Sequence, residues 1–210
     1  MLHNGQLLAV AVTLIATLLS MIGGPFPFEQ RLQHIPTSLA LIALAWAARR
    51  RVLSNVSFYC LLVFWWLHIL GARWIYSFVP YDDWSEAMVN HRLSELFGWT
   101  RNHYDRFVHL SFGALAIPPL VEVLRNSTGI TPRLAVGLAC CIAMTMGAIY
   151  EIVEWQAAVW MSPDQADAYN GQQGDMWDAQ KDMALNALGA LVSAAILLCF
   201  TGDNPKALDR

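Results

Sequence analysis

Six apolar blocks, each close to the roughly 20 residues that cross a bilayer, divide this sequence and leave few folds open to it. In lipid every backbone N–H and C=O must find its partner inside the protein, so blocks of this length fold as helices packed on one another. The blocks run from about Leu7 to Ile22, Leu32 to Ala48, Val56 to Tyr76, Phe107 to Val123, Leu134 to Trp160 and Met183 to Thr201. The second is short and starts with His34 and Pro36, so whether it crosses fully is left open. With 56% hydrophobic and 14% charged residues, the chain is too apolar for an ordinary soluble domain. The expected fold is an all-α integral membrane protein, a bundle of about six transmembrane helices forming a single polytopic domain over residues 1–210.

The connections refine this expectation. No positive residue precedes the first block and no small-x-small cleavage site follows it, so a retained span is expected rather than a signal peptide. Residues Ser77 to Tyr104 are polar but carry Trp84, Met88, Leu96 and Phe97, which suits a short amphipathic helix on the membrane surface. Pro118-Pro119 predicts a kink in the fourth block, and residues Ser162 to Gln180 read as a polar loop. A short mixed-charge tail ends the chain. Arg49-Arg50-Arg51 and the loop with Arg125 and Arg133 fall on one side, which the positive-inside rule makes cytoplasmic. Both termini are then expected in the cytoplasm, and the acidic connections around Asp82-Asp83 and from Asp164 to Asp182 face outward.

That topology brings three polar stripes to one depth. Asp105 and His109 open the fourth block at i, i+4; Glu151 and Glu154 close the fifth at i, i+3; Asp178, Asp182 and Asn186 enter the sixth on one helix face. Crowded carboxylates inside a bundle need protons, a cation or basic partners. An oxygen-rich set with one His suits Mg²⁺, Mn²⁺, Ca²⁺ or Fe²⁺ and permits Zn²⁺. The candidate metal ligands are therefore Asp105, His109, Glu151, Glu154, Asp178 and Asp182, with a divalent metal ion as the candidate cofactor. Glu151 or Glu154 is the candidate general base and His109 a candidate ligand or acid. Arg73 and Asn186 are candidate substrate-binding residues, Arg73 as counter-ion or lipid-phosphate anchor.

A plainer account stands beside this one. The same carboxylates could cap helix ends and pair with Arg73, Arg101, Arg106 and Lys181 in a solvated rim. Cys60, Cys140, Cys141 and Cys199 lie inside apolar blocks without zinc-site spacing and read as packing residues. No basic cluster suggests nucleic acid, no phosphate-binding Gly loop is present, and the expected partners are membrane lipids and a lipid-linked substrate.

From about Arg73 to Leu191 the sequence resembles the YjdF-like family of bacterial inner-membrane proteins of unknown function, on RWIYSFVPYDDW, YDRFVHLSFG, MGAIYEIVEW and GDMWDAQKDMALNALGAL. The resemblance implies a multi-pass protein of the bacterial inner membrane. More loosely, it is similar to the VanZ-like membrane proteins, associated with glycopeptide-antibiotic tolerance. Asp105 and His109 look like their Asp-x-x-x-His. Glu151 or Glu154 looks like their glutamate, with Glu154 or Gln156 where their Gln follows. Asp182, Asn186 and Gly189 look like their last motif, with Gln173, Asp175 and Asp178 where an Arg is usual. The leading expectation is a periplasm-side site binding a divalent cation, a lipid-linked or envelope substrate, or both. A small transporter or proton pathway and a non-catalytic assembly protein are the alternatives.

Overall fold

The computed structural model describes residues 2–201, and among these it contains nine helices and no strand. They are α1 (Leu2–Ser20), α2 (Pro27–Arg50), α3 (Asn55–Arg73), α4 (Tyr81–Val89), α5 (Leu93–Phe97), α6 (Tyr104–Thr128), α7 (Pro132–Val159), α8 (Pro163–Asn170) and α9 (Asp178–Thr201). The mixed-charge tail lies outside the described residues.

Helices α3, α6, α7 and α9 are each long and apolar enough to cross a membrane. Helix α1 contributes a shorter apolar stretch, Asn4–Ser20. Helix α2 begins five residues before its block: it starts at Pro27 and buries Glu29, Gln30, Gln33, His34 and Thr37 before its apolar part. Its 24 residues reach about 36 Å, enough to cross, but the buried polar start keeps its hydropathy low. Helix α6 runs through Pro118 and Pro119 without a break in its assignment. The polar loop expected over Ser162 to Gln180 contains α8, and α9 starts at Asp178 rather than at the apolar Met183.

Local chemistry sets the boundaries. Arg51 adopts the left-handed conformation that ends α2 (φ 55°), behind Arg49 and Arg50, whose charges favour a helix C-terminus. Ser54 caps α3 by accepting from the Ser57 N–H at 3.3 Å, and donates to both oxygens of Glu122 on α6. Gly129 ends α6 at φ 67°, and Pro132 opens α7, where its missing N–H costs nothing. The connection between α3 and α6 folds into α4 and α5, with Met88, Leu96 and Phe97 exposed as an interfacial apolar edge.

The long helices form two groups. Helices α1, α2 and α3 share a core of Val10, Leu41, Leu44, Phe58 and Leu62, whereas α6, α7 and α9 share an alanine-rich one with Ala116, Ala139, Ala143, Ala190 and Ala194. Small residues let backbones approach closely, which is how helices gain packing energy in lipid. The closest approach is between α6 and α9. A Cβ on Gly113 would lie 2.0 Å from the Asn186 carbonyl oxygen, and one on Gly189 would lie 2.1 Å from that of Leu110.

Gly113→Val is expected to force α6 and α9 apart at a cost of at least about 1–3 kcal/mol, the usual range for overpacking. It is read as a fall in melting temperature of the detergent-solubilised protein. Gly137→Ala, on an open face of α7, should leave the midpoint unchanged or slightly raised.

Candidate functional site

The antiparallel run of α6, α7 and α9 places the start of α6, the end of α7 and the start of α9 at one end of the bundle. Asp105, His109, Glu154, Asp178, Asp182 and Asn186 are all buried there, Asp182 to 2% exposure and Asn186 to 0%. One ligand atom each from Asp105, His109 and Asp182 lies within 4.8 Å of the others. His109 Nε2 is 3.7 Å from Asp105 Oδ1 and 3.2 Å from Glu151 Oε1. Glu151 Oε1 and Asp182 Oδ1 are buried yet accept no aligned hydrogen bond. Buried carboxylate oxygens without a donor are costly unless something else neutralises them.

Asn186 sits one turn below Asp182 and fills space that Gly147 leaves on α7. A Cβ at Gly147 would come within 2.0 Å of its Nδ2, which donates to Ala143 O at 3.0 Å. The amide therefore locks α9 against α7, while its Oδ1 stays unpartnered.

A second layer of charge lies outside the first and is balanced. Arg101 forks onto both oxygens of Asp178 (2.5 and 3.2 Å) and also donates to the Gly171 and Gln172 carbonyls. Arg106 bridges Asp175 (2.6 Å) and Asp178 (3.1 Å), and Lys181 reaches Asp175 at 2.5 Å. Lys181, with the Trp177 N–H, holds the Asp175 carboxyl well below the usual carboxylate range. Gln173 exchanges hydrogen bonds with the Asn102 backbone, so the segment before α9 is tied down over the site. Gly171, at φ +66°, brings its backbone against Asp105: a Cβ there would lie 3.4 Å from Asp105 Oδ2.

Beside the group lies a cavity of about 210 Å³ between α2, α3, α6 and α7. Asp105 and His109 belong to both. Tyr76 and His68 line the cavity as a bonded pair: Tyr76 Oη donates to His68 Nδ1 at 2.5 Å, which leaves Nε2–H to donate to Gln33 O at 2.8 Å. A tight turn aims Tyr76 inward, with Ile75 and Tyr76 at φ 42° and 58°. Left-handed backbone at a β-branched residue is strained, and such strain gathers at functional sites. Gly71 makes room, since a Cβ there would meet the Tyr76 ring at 2.6 Å.

The polar stripes thus meet, but not all their members do the same thing. Asp178 is neutralised by two arginines that the sequence reading treated only as rim partners. Arg73 is used elsewhere: its guanidinium donates to the Ser20 and Ile22 carbonyls at the end of α1 and lies over the Trp74 ring. Sequence reasoning missed Gln33, Tyr76 and Tyr150. A positive-φ turn and a helix pairing brought them in, and neither leaves a spacing signal.

The sequence matches the family described as predicted membrane protein (DUF2238) over residues 5–203. The chain belongs to that family. It is 33% identical to the inner membrane protein YjdF of Escherichia coli (strain K12) over 168 residues, covering 79% of this chain and 75% of the relative. No solved structure matches the chain. As a DUF2238 member the chain is a membrane protein, and the comparisons show no link to the VanZ-like proteins.

Arg101 and Asp178 test the balanced layer. Arg101→Ala leaves a carboxylate buried to 3% without its fork and is expected to cost about 3–5 kcal/mol, seen as a lowered melting temperature. Adding Asp178→Ala should restore much of the loss, because the carboxylate left with Arg106 as its one arginine partner goes with it.

Proposed function

We propose that this protein binds a divalent cation between Asp105, His109 and Asp182, with Glu151 as a further ligand or general base, and holds an envelope or lipid-linked substrate beside it. The observation that carries the reading is the pair of orphaned buried oxygens, Glu151 Oε1 and Asp182 Oδ1, next to three converging ligand groups. A cation supplies the missing partner for both. It would also polarise a phosphoryl or carbonyl oxygen, or lower the pKa of a bound water. Glu154, buried one turn beyond Glu151, adds a further carboxyl group behind the site. Asp178 is left out of this ligand set because Arg101 and Arg106 already take up its charge. Asn186 positions α9 in this reading, and Arg73 fastens α1 to α3.

Added Mn²⁺ or Mg²⁺ is expected to raise the melting temperature of the detergent-solubilised protein by the linkage RT ln(1 + [L]/Kd). Asp182→Ala and His109→Ala should blunt the rise, and the exposed Asp83→Ala should not. If no divalent metal moves the midpoint, the cation reading falls. A proton pathway then leads, favoured by the hydrogen-bonded His68–Tyr76 pair that extends the polar group toward α2.

The reading includes about six spans, with α1 and α2 crossing as well, in the bacterial inner membrane, and the site at the periplasmic end. The buried polar start of α2 supports this, since it lies level with the site and is tied to it by Tyr150 Oη donating to Gln33 Oε1 at 3.2 Å. A reporter active only in the periplasm should be active when fused after Gly171 and silent after Arg210. The reverse at either position would overturn the orientation.

A further inference from the structure

The cavity has a polar corner, apolar walls and a flank open to lipid. Asp105 and His109 form the corner, and Phe64, Phe112 and Met146 stand among the walls. Met146 lines the cavity and is also 47% exposed, which puts it at the rim of the cavity on the outer flank of α7. Across that rim stands α2. No packed interface joins α2 to α7 among the described residues, and the Tyr150–Gln33 hydrogen bond spans the gap. A molecule already in the bilayer would pass between these two helices to reach Asp105, parting the Tyr150–Gln33 hydrogen bond.

Charge restricts the end of such a molecule. Asp105, Glu151, Glu154 and Asp182 crowd the inner layer, while both nearby arginines are engaged by Asp175 and Asp178. No basic side chain is left to meet an anionic head, and burying an anion beside carboxylates is strongly unfavourable. A head that donates hydrogen bonds meets the Asp105 carboxyl and the His109 ring, the polar groups that line the corner. At about 210 Å³ the cavity is smaller than the roughly 300–1,000 Å³ of sites that enclose a whole ligand, so it takes the segment next to the head and leaves the rest of the chain in lipid.

We infer that the cavity seats a membrane-resident amphiphile whose apolar chain enters between α2 and α7 and whose non-anionic, hydrogen-bond-donating head meets Asp105 and His109, the cavity-side members of the Asp105–His109–Asp182 group. The inference rests on that group being the functional site and adds the class of its substrate.

Photolabelling tests it. A long-chain alcohol bearing a diazirine is cross-linked to the purified full chain, in competition with the alcohol, amine and phosphate monoester of the same chain length. Label is expected on the peptides that carry Met146 and Phe64. The alcohol and amine should compete better than the phosphate by roughly tenfold or more, the scale of one hydrogen bond to a charged group. Met146→Trp should abolish cavity labelling, whereas Val153→Trp, exposed on the same helix outside the cavity, should not. Asp105→Asn should erase the preference between heads while the chain still labels. Label spread evenly over lipid-facing helices, or a phosphate that competes as well as the alcohol, overturns the inference. The metal-induced melting shift, read on the same preparation, separates the two proposals. A shift with phosphate preference sinks only the amphiphile class, and selective labelling without a shift sinks only the cation.

Discussion

The close crossing of α6 and α9 is the contact on which the site depends. Gly113 and Gly189 let the two backbones approach until each would-be Cβ collides with a carbonyl of the other helix. In lipid this contact draws on van der Waals attraction between backbones, because the solvent offers little hydrophobic drive to bring helices together. At that separation the first turns of α6 and α9 face one another. Asp182 is then placed against Asp105 and His109, within 4.8 Å of both. A bulkier residue at either glycine would widen the gap and dissolve the group before it touched any of its members.

Around that crossing, charge is sorted into two layers with different fates. In the outer layer, Arg101, Arg106 and Lys181 neutralise Asp175 and Asp178, and these bonds hold the chain from Gly171 to Asp178 across the end of the bundle. That layer is structural. The inner layer has one imidazole, His109, among Asp105, Glu151, Glu154 and Asp182, and two of its oxygens lack a donor. The rim reading of the sequence describes the outer layer, with Arg101, Arg106 and Lys181 as its bases, and the inner layer is the group on which the proposed site rests.

The first three long helices do more than complete the bundle. Helix α2 buries Gln30, Gln33 and His34 at the same end, and α3 adds His68 and the strained turn that presents Tyr76. Arg73 fastens the ends of α1 and α3 together through the Ser20 and Ile22 carbonyls. The junction between the two helical groups is packed along α3 and α6, and the Tyr150–Gln33 hydrogen bond joins α2 to α7 beside the cavity.

Much of this was legible without coordinates. Block lengths near the bilayer thickness require helices, because unpaired backbone cannot be left in lipid, and alternating direction then puts the three stripes at one end. The i, i+3 and i, i+4 spacing of Asp105 and His109, of Glu151 and Glu154, and of Asp178, Asp182 and Asn186 follows from helix geometry alone. Rotation of each helix about its axis does not, since it is settled by packing between residues distant in the chain. Only the tertiary structure could therefore assign Asp178 to the arginines and Asp182 to the inner group, four residues apart on one face. Only it could turn Arg73 toward α1, bring Tyr76 back over Gly71, and open a cavity beside Asp105. Local spacing is written in the sequence because a helix repeats every few residues. Which faces meet is decided by close packing, where a glycine at the right crossing outweighs any pattern of charge.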